Sequence, residues 1–292
     1  MKRLKDNLKL HAIVVIDDFL SALNDYDGQS LYLANYNITF INYLKHTFFT
    51  LSADPISNED KNIMGRKARQ DHPLIYSLYR IFEHKTLQKA HITELETLLK
   101  KHRAYPFIDF LNLFTKFKKG SVEFNKSLIT LLKKDNLLTK LWLINSNLKT
   151  PNIDSFSLLS ELSTRGVTKA SRHLLFASIK ETENYDTISK QINIIINQDL
   201  YKDEKAYSDL YLSLAASTSS YYLKIKILKD ALKLKYYDAL IPLVRVYLTA
   251  KEQNNESLLE AYRYLVIAEF LNIDGHRELY KQYKIALRER KK

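Results

Sequence analysis

Three alanines, Ala170, Ala206 and Ala239, each stand four residues before a leucine: Leu174, Leu210 and Leu243. In the last two rows another large residue follows after a further four, Leu214 and Tyr247. Residues four apart share a helix face, so each row is a small side chain followed by large apolar ones on one stripe. With His276 as a fourth anchor the intervals are 36, 33 and 37 residues, and Gly166 precedes Ala170 by four as Asn272 precedes His276. That interval is the length of a helix pair. The second helices agree: Ile227, Leu228 and Ala231 in "YYLKIKILKDALKLK" hold the places of Tyr264, Leu265 and Ala268, which follow the polar loop "KEQNNES". One hairpin cannot bury its apolar face alone, so a chain with this period must stack one pair on the next.

Little in the sequence competes with helices. It has five Gly and five Pro in 292 residues, where average usage would give roughly 20 and 15. An interior Gly costs ~1 kcal/mol relative to Ala, so this scarcity suits long helices with short polar connections. Folds built on tight turns or phosphate-cradling loops need more. Apolar residues at i, i+3, i+4 and i+7 predict helices over 29–51, 73–86, 121–134 and 137–148, and sustained alternation is hard to find. "HAIVVIDDF" could be read as a strand ending in paired acids. The stripe Leu10, Ile13, Ile16, Leu20 and Leu23 runs past those acids, however, and no Gly-rich turn follows, so a helix is expected. The length allows about two domains of ~150 residues, and 46% hydrophobic with 12% aromatic residues is ample for a packed core.

The pattern A-x-x-x-L-x-x-x-Y, a polar loop, then A-x-x-Y-L-x-x-A-x-x-x-N is carried by Ala239, Leu243, Tyr247, Ala261, Tyr264, Leu265, Ala268 and Asn272. It resembles the Sel1-like repeat, a relative of the tetratricopeptide repeat. The resemblance covers about residues 155–287 and is closest over 239–276. Val244, Tyr211 and Leu175 stand where that family has a small residue, and Ala250 stands where it has Gly. The resemblance implies an all-α fold, a right-handed α-solenoid of antiparallel helix hairpins. The expected layout is a less regular helical region over 1–120 and a helical-repeat region over 121–292, closed by a capping helix in "GHRELYKQYKIALRERKK". Alanines at 239, 261 and 268 would let helix axes approach, and Tyr247 and Tyr264 would fill the gap between layers. The implied function is a non-enzymatic protein-interaction scaffold or adaptor that holds a partner protein in a concave groove. Arg172, Tyr207 and Arg245, on first helices, would face that groove.

Charge suggests a second surface. Residues 100–150 hold eleven Lys and Arg against three Asp and Glu, which is two-thirds of the net charge of +12. Lys100, Lys101, Arg103, Lys116, Lys118 and Lys119 are its candidate contact residues. Such a patch would steer an acidic partner, whether protein, nucleic acid or anionic lipid. The alternative function is therefore a basic helical nucleic-acid-binding protein with accessory repeats. Phe107, Phe110, Phe114 and Phe117 could stack bases, but their spacing is that of a buried stripe and core packing is expected. Lys116, Lys118 and Lys119 fall at a helix end before Gly120, where cations complement the macrodipole without any ligand.

Catalytic signals are weak. The absence of Cys removes disulfides, thiolate metal sites and a cysteine nucleophile. His91 and Glu94 lie three apart on an expected helix, but no second pair completes a metal site. Ser146 and Lys149 match S-x-x-K without its companion motifs, and the common nucleotide and zinc-protease motifs do not occur. No catalytic residue, cofactor or metal is expected. The basic start "MKRLK" leads into only five apolar residues, "AIVVI", short of the ~7–15 of a signal peptide. No run approaches the ~18 apolar residues of a membrane span, so a cytoplasmic protein is expected.

Overall fold

The computed structural model describes residues 51, 80–82, 89–101, 106–146, 154–182, 184–199, 203–249 and 255–289. Among them are twelve α-helices and no strand. In chain order these are α1 (Lys89–Lys101), α2 (Pro106–Lys116), α3 (Val122–Lys133), α4 (Leu137–Ser146), α5 (Ser155–Thr164) and α6 (Thr168–Glu181). They continue as α7 (Tyr185–Gln198), α8 (Glu204–Ser217), α9 (Tyr221–Lys233), α10 (Leu240–Leu248), α11 (Asn255–Phe270) and α12 (His276–Glu289). The helices expected over 121–134 and 137–148 are α3 and α4. Those expected over 29–51 and 73–86, and the 11–19 stretch, lie outside the described residues, apart from Leu51 and the helical residues 80–82.

The chain divides into two compact units, one of Met1–Leu174 with Asn197–Tyr201, the other of Leu175–Ile196 with Lys202–Lys292. Residue 120, where a boundary was expected, lies in the α2–α3 turn of the first unit. In that unit α1 packs on α2, α2 on α3 and α4, α3 on α4, and α4 on α5. Its core is aromatic: Phe114 meets Phe110 at 5.1 Å, Trp142 at 5.0 Å and Phe124 at 5.6 Å between centroids, all edge to face. Such pairs add ~0.5–1.5 kcal/mol each beyond burial. Phe110 thus belongs to the core, half-buried Phe114 packs against it, and Phe117 is also half-buried; the Phe107 side chain lies outside the described residues. The Phe110 and Phe114 rings, packed on one another and on Trp142, are not free to stack on bases.

In the second unit α8 packs on α9, α9 on α10, α10 on α11 and α12, and α11 on α12. The anchor alanines Ala206 and Ala239 are buried with Leu210, Leu214 and Leu243, as are the second-helix Ala231, Ala261 and Ala268; in the first unit Ala170 is buried and its row partner Leu174 is half-buried. His276 is buried too, its Nδ1 2.7 Å from the Ile273 carbonyl oxygen. Val244, Tyr211 and Leu175, the departures from the family pattern, are all buried, so larger side chains occupy the close-packed places.

One helix-end device recurs. After α3, α5, α9 and α11 the second residue beyond the helix turns left-handed: Asp135 (φ 59), Gly166 (φ 88), Lys235 (φ 66) and Asn272 (φ 52). In each case that residue's N–H donates back three residues, to Leu132, Ser163, Leu232 and Glu269, at 2.9–3.0 Å. The next N–H donates back five, to Leu131, Leu162, Ala231 and Ala268, at 2.9–3.1 Å. This is the Schellman arrangement, which satisfies the carbonyls a helix end leaves open. It ends α3, α5, α9 and α11; residue 200, beyond α7, lies outside the described residues. Thr139, buried on α4, has Leu143 four residues on and precedes Ala170 by 31 residues.

Candidate partner-binding surface

The α10–α11 hairpin is held by a polar clasp. Tyr247 and Tyr264 stack with centroids 6.2 Å apart and planes 10° from parallel. From α9, the Lys229 ammonium lies 5.8 and 5.9 Å from the two ring centroids and pairs with Glu260 at 3.2 Å. Glu260 also takes Arg263 at 2.7 Å. Burial opposes the charge on Lys229, but hydrogen bonds with Tyr247 and Glu260 outweigh it and hold the ammonium above its ordinary pKa. Burial likewise opposes ionised Glu260, and the bonds from Arg263 and Lys229 override it and hold the carboxyl below its usual range. The pair stays charged, and three helices are fixed relative to one another.

With its inner face fixed, α11 presents a second apolar face outward. Leu258, Ala261, Leu265 and Ala268 are buried, whereas Leu259, Tyr262, Val266 and Phe270 remain exposed, Phe270 at 87%. The steps of three, four and four make these one stripe, and exposed Ile267 lies beside it. Tyr262 joins the stripe to α12: its ring stacks on Tyr283 at 5.6 Å and meets Tyr280 edge on at 6.4 Å. The Tyr280 hydroxyl donates to Glu269 at 3.1 Å; burial and then this carboxylate push the phenol up to about 12. Exposed Ile285 and Leu287 add apolar surface on α12. Scattered apolar side chains on a surface are ordinary, whereas a continuous row on one helix makes a candidate contact site. Its spacing is the one an apposed helix reads.

The residues singled out in the sequence fall elsewhere. Arg172, half-buried on α6 in the first unit, donates from Nη1 to the Leu51 carbonyl at 3.2 Å. Tyr207 is 5% exposed: α8 buries residues 206–208 and 210–211, so this ring is enclosed and does not line an open groove. Arg245 is exposed on α10. Lys100 is exposed on α1, Lys101 is the last residue of that helix, and Arg103 lies outside the described residues. Lys116, Lys118 and Lys119 are exposed together around the α2–α3 turn, with the Lys119 ammonium 5.4 Å from the centre of the Trp142 ring. Lys133 and Lys134 sit at the other end of α3, where Lys134 pairs with Asp109 at 3.5 Å.

The α11 stripe was not among the sequence candidates. A signal for it exists: ten of the sixteen α11 residues are apolar or aromatic, whereas one buried face takes three to four per two turns, about seven over this length. The surplus had to emerge on another face. Among the described residues no cluster of three or more His, Asp or Glu could hold a metal ion. None of their helices is long and apolar enough to cross a membrane.

Comparisons with models of known protein families, with curated proteins and with solved structures gave no match. The class defined by the fold and surface is an all-α protein of consecutively packed helices, with an apolar row exposed near its C-terminal end.

Proposed function

We propose that the chain is a non-enzymatic protein-interaction scaffold whose hairpins form a Sel1-like or tetratricopeptide-like α-solenoid. A partner polypeptide docks on its C-terminal hairpin. The observation carrying this reading is the row Leu259, Tyr262, Val266 and Phe270, exposed on α11, with Tyr262 resting in part on the α12 tyrosines. The first-helix side, where Arg245 is exposed, is a second place a partner can touch, but it offers less apolar area. A helix presenting its own i, i+3, i+4, i+7 apolar row is the occupant that best matches the stripe.

Sedimentation of the native complex from cells provides the test. Wild-type chain should sediment with its partner, whereas Val266→Lys with Phe270→Ser should sediment as free chain with an unchanged melting temperature. Unaltered sedimentation of the double variant contradicts the reading.

The alternative, nucleic-acid binding, is favoured by one observation: Lys116, Lys118, Lys119, Lys126 and Lys133 are all exposed on the α2–α3 edge. Phosphate contacts would make single-strand binding fall with log salt at about −0.7 per contact. Binding with such a slope, lost on neutralising these lysines, would replace the scaffold reading.

A further inference from the structure

We propose that the segment docking on α11 is an acidic amphipathic helix, which sets its apolar row on Leu259, Tyr262, Val266 and Phe270 and its carboxylates on a basic edge supplied by α12. This inference rests on the scaffold reading above and names the chemistry of the partner. On α12, Arg277, Lys281, Lys284 and Arg288 stand in steps of four, three and four, and all four are exposed. They form one stripe.

Ring contacts fix where that stripe lies. Tyr262, in the apolar row, stacks on Tyr283 at 5.6 Å and meets Tyr280 edge on at 6.4 Å, while the Tyr280 hydroxyl donates to Glu269 of α11 at 3.1 Å. Tyr280 is therefore where α12 meets the row. Arg277 precedes Tyr280 by three residues and Lys284 follows it by four, so both are its neighbours on the helix surface. Buried His276 and Leu279 lie on the other side of Tyr280. The basic stripe thus borders the apolar row.

The acids nearby are already engaged. Glu260 pairs with Lys229 and Arg263, and Glu269 accepts from Tyr280. Glu256 sits in the first turn of α11, where an acid complements the helix dipole. On α12, Lys281 has Glu278 at 3.6 Å, whereas among the described residues no carboxylate pairs with Arg277, Lys284 or Arg288. An edge of such cations steers acidic partners towards the row and turns basic ones away. A helix laid on the row therefore gains most when one of its flanks carries Asp or Glu beside the apolar positions.

Fluorescence anisotropy of the full chain with three synthetic peptides of about 18 residues, long enough to hold a helix, tests this. The three share one leucine row at i, i+3, i+4, i+7 and i+11 and differ only at the positions beside it, which are Glu, Gln or Lys. At about 50 mM KCl the Glu peptide should bind about tenfold more tightly than the Gln peptide and the Lys peptide least, and the gap should close at about 500 mM. Lys284→Gln with Arg288→Gln should bring the Glu peptide to the level of the Gln peptide and leave the latter unchanged, whereas Phe270→Ser should weaken all three. Equal binding of the Glu and Gln peptides at low salt, or a gap that survives Lys284→Gln with Arg288→Gln, overturns the acidic flank while docking on the apolar row stands. Failure of all three to bind counts against docking itself and overturns both. Binding to phosphatidylcholine vesicles containing phosphatidylserine in place of the peptides, or a dimer of the chain alone that Phe270→Ser dissolves, assigns the face to lipid or to a second copy and overturns the inference.

Discussion

Lys140 is 6% exposed, yet it is charged and sits between two carboxylates. It bonds to Asp135 and, at 2.7 and 2.8 Å, to both oxygens of Glu161, while Arg165 reaches the same acids at 3.2 and 3.0 Å. Removing one partner of a buried pair costs ~3–5 kcal/mol. Both acids here are partly exposed and keep Arg165, so Lys140→Met should cost less, about 1–3 kcal/mol by urea denaturation. The bond from Lys140, against desolvation and helped by Arg165, holds the Asp135 carboxyl below its usual range. A carboxyl whose folded pKa is depressed contributes stability that is complete above its unfolded value near ~4 and is lost as pH falls through the folded value. Urea midpoints measured from pH 6 to pH 2 should therefore fall below about pH 4 in the wild type, and less steeply in Asp135→Asn.

Helix ends and helix faces carry different information. Three of the four Schellman turns place a side-chain-bearing residue in the left-handed region, where an ordinary L residue is strained by roughly 1–2 kcal/mol. Asn tolerates it better than Lys. Lys235→Gly should therefore raise stability, by up to about 1 kcal/mol once the extra freedom of the unfolded chain is counted, as thermal unfolding would show. On α11 the two apolar faces should respond oppositely. Leu265→Ala empties a fully buried place and should cost ~2–5 kcal/mol. Val266→Lys, on the outward row, should leave stability within ~0.5 kcal/mol and abolish only partner binding.

Among the described residues of the whole molecule, the consecutive packing of helices was legible because small residues recur at helical spacing, and Ala239, Ala261 and Ala268 are buried where helices meet. Tyr247 and Tyr264 could be paired for the same reason. The helices α3 and α4 were legible from their apolar spacing, whereas the turns that end helices at Asp135 and Lys235 were not, since neither carries a glycine to announce it. The burial of Tyr207 was not legible because position on a helix does not say how many sides its neighbours enclose. The exposed stripe could not be read from periodicity alone, since Leu258 and Leu259 are adjacent and only packing decides which is covered.

The central claim is that the outward face of α11 holds another protein, and site-specific photo-crosslinking in living cells reaches it most directly. A photoreactive residue at Tyr262, Val266 or Phe270 should yield one discrete protein adduct, and the same residue at exposed Lys226 on α9 or Lys190 on α7 should yield none. Equal adducts at all five positions, or none from α11, would contradict the claim.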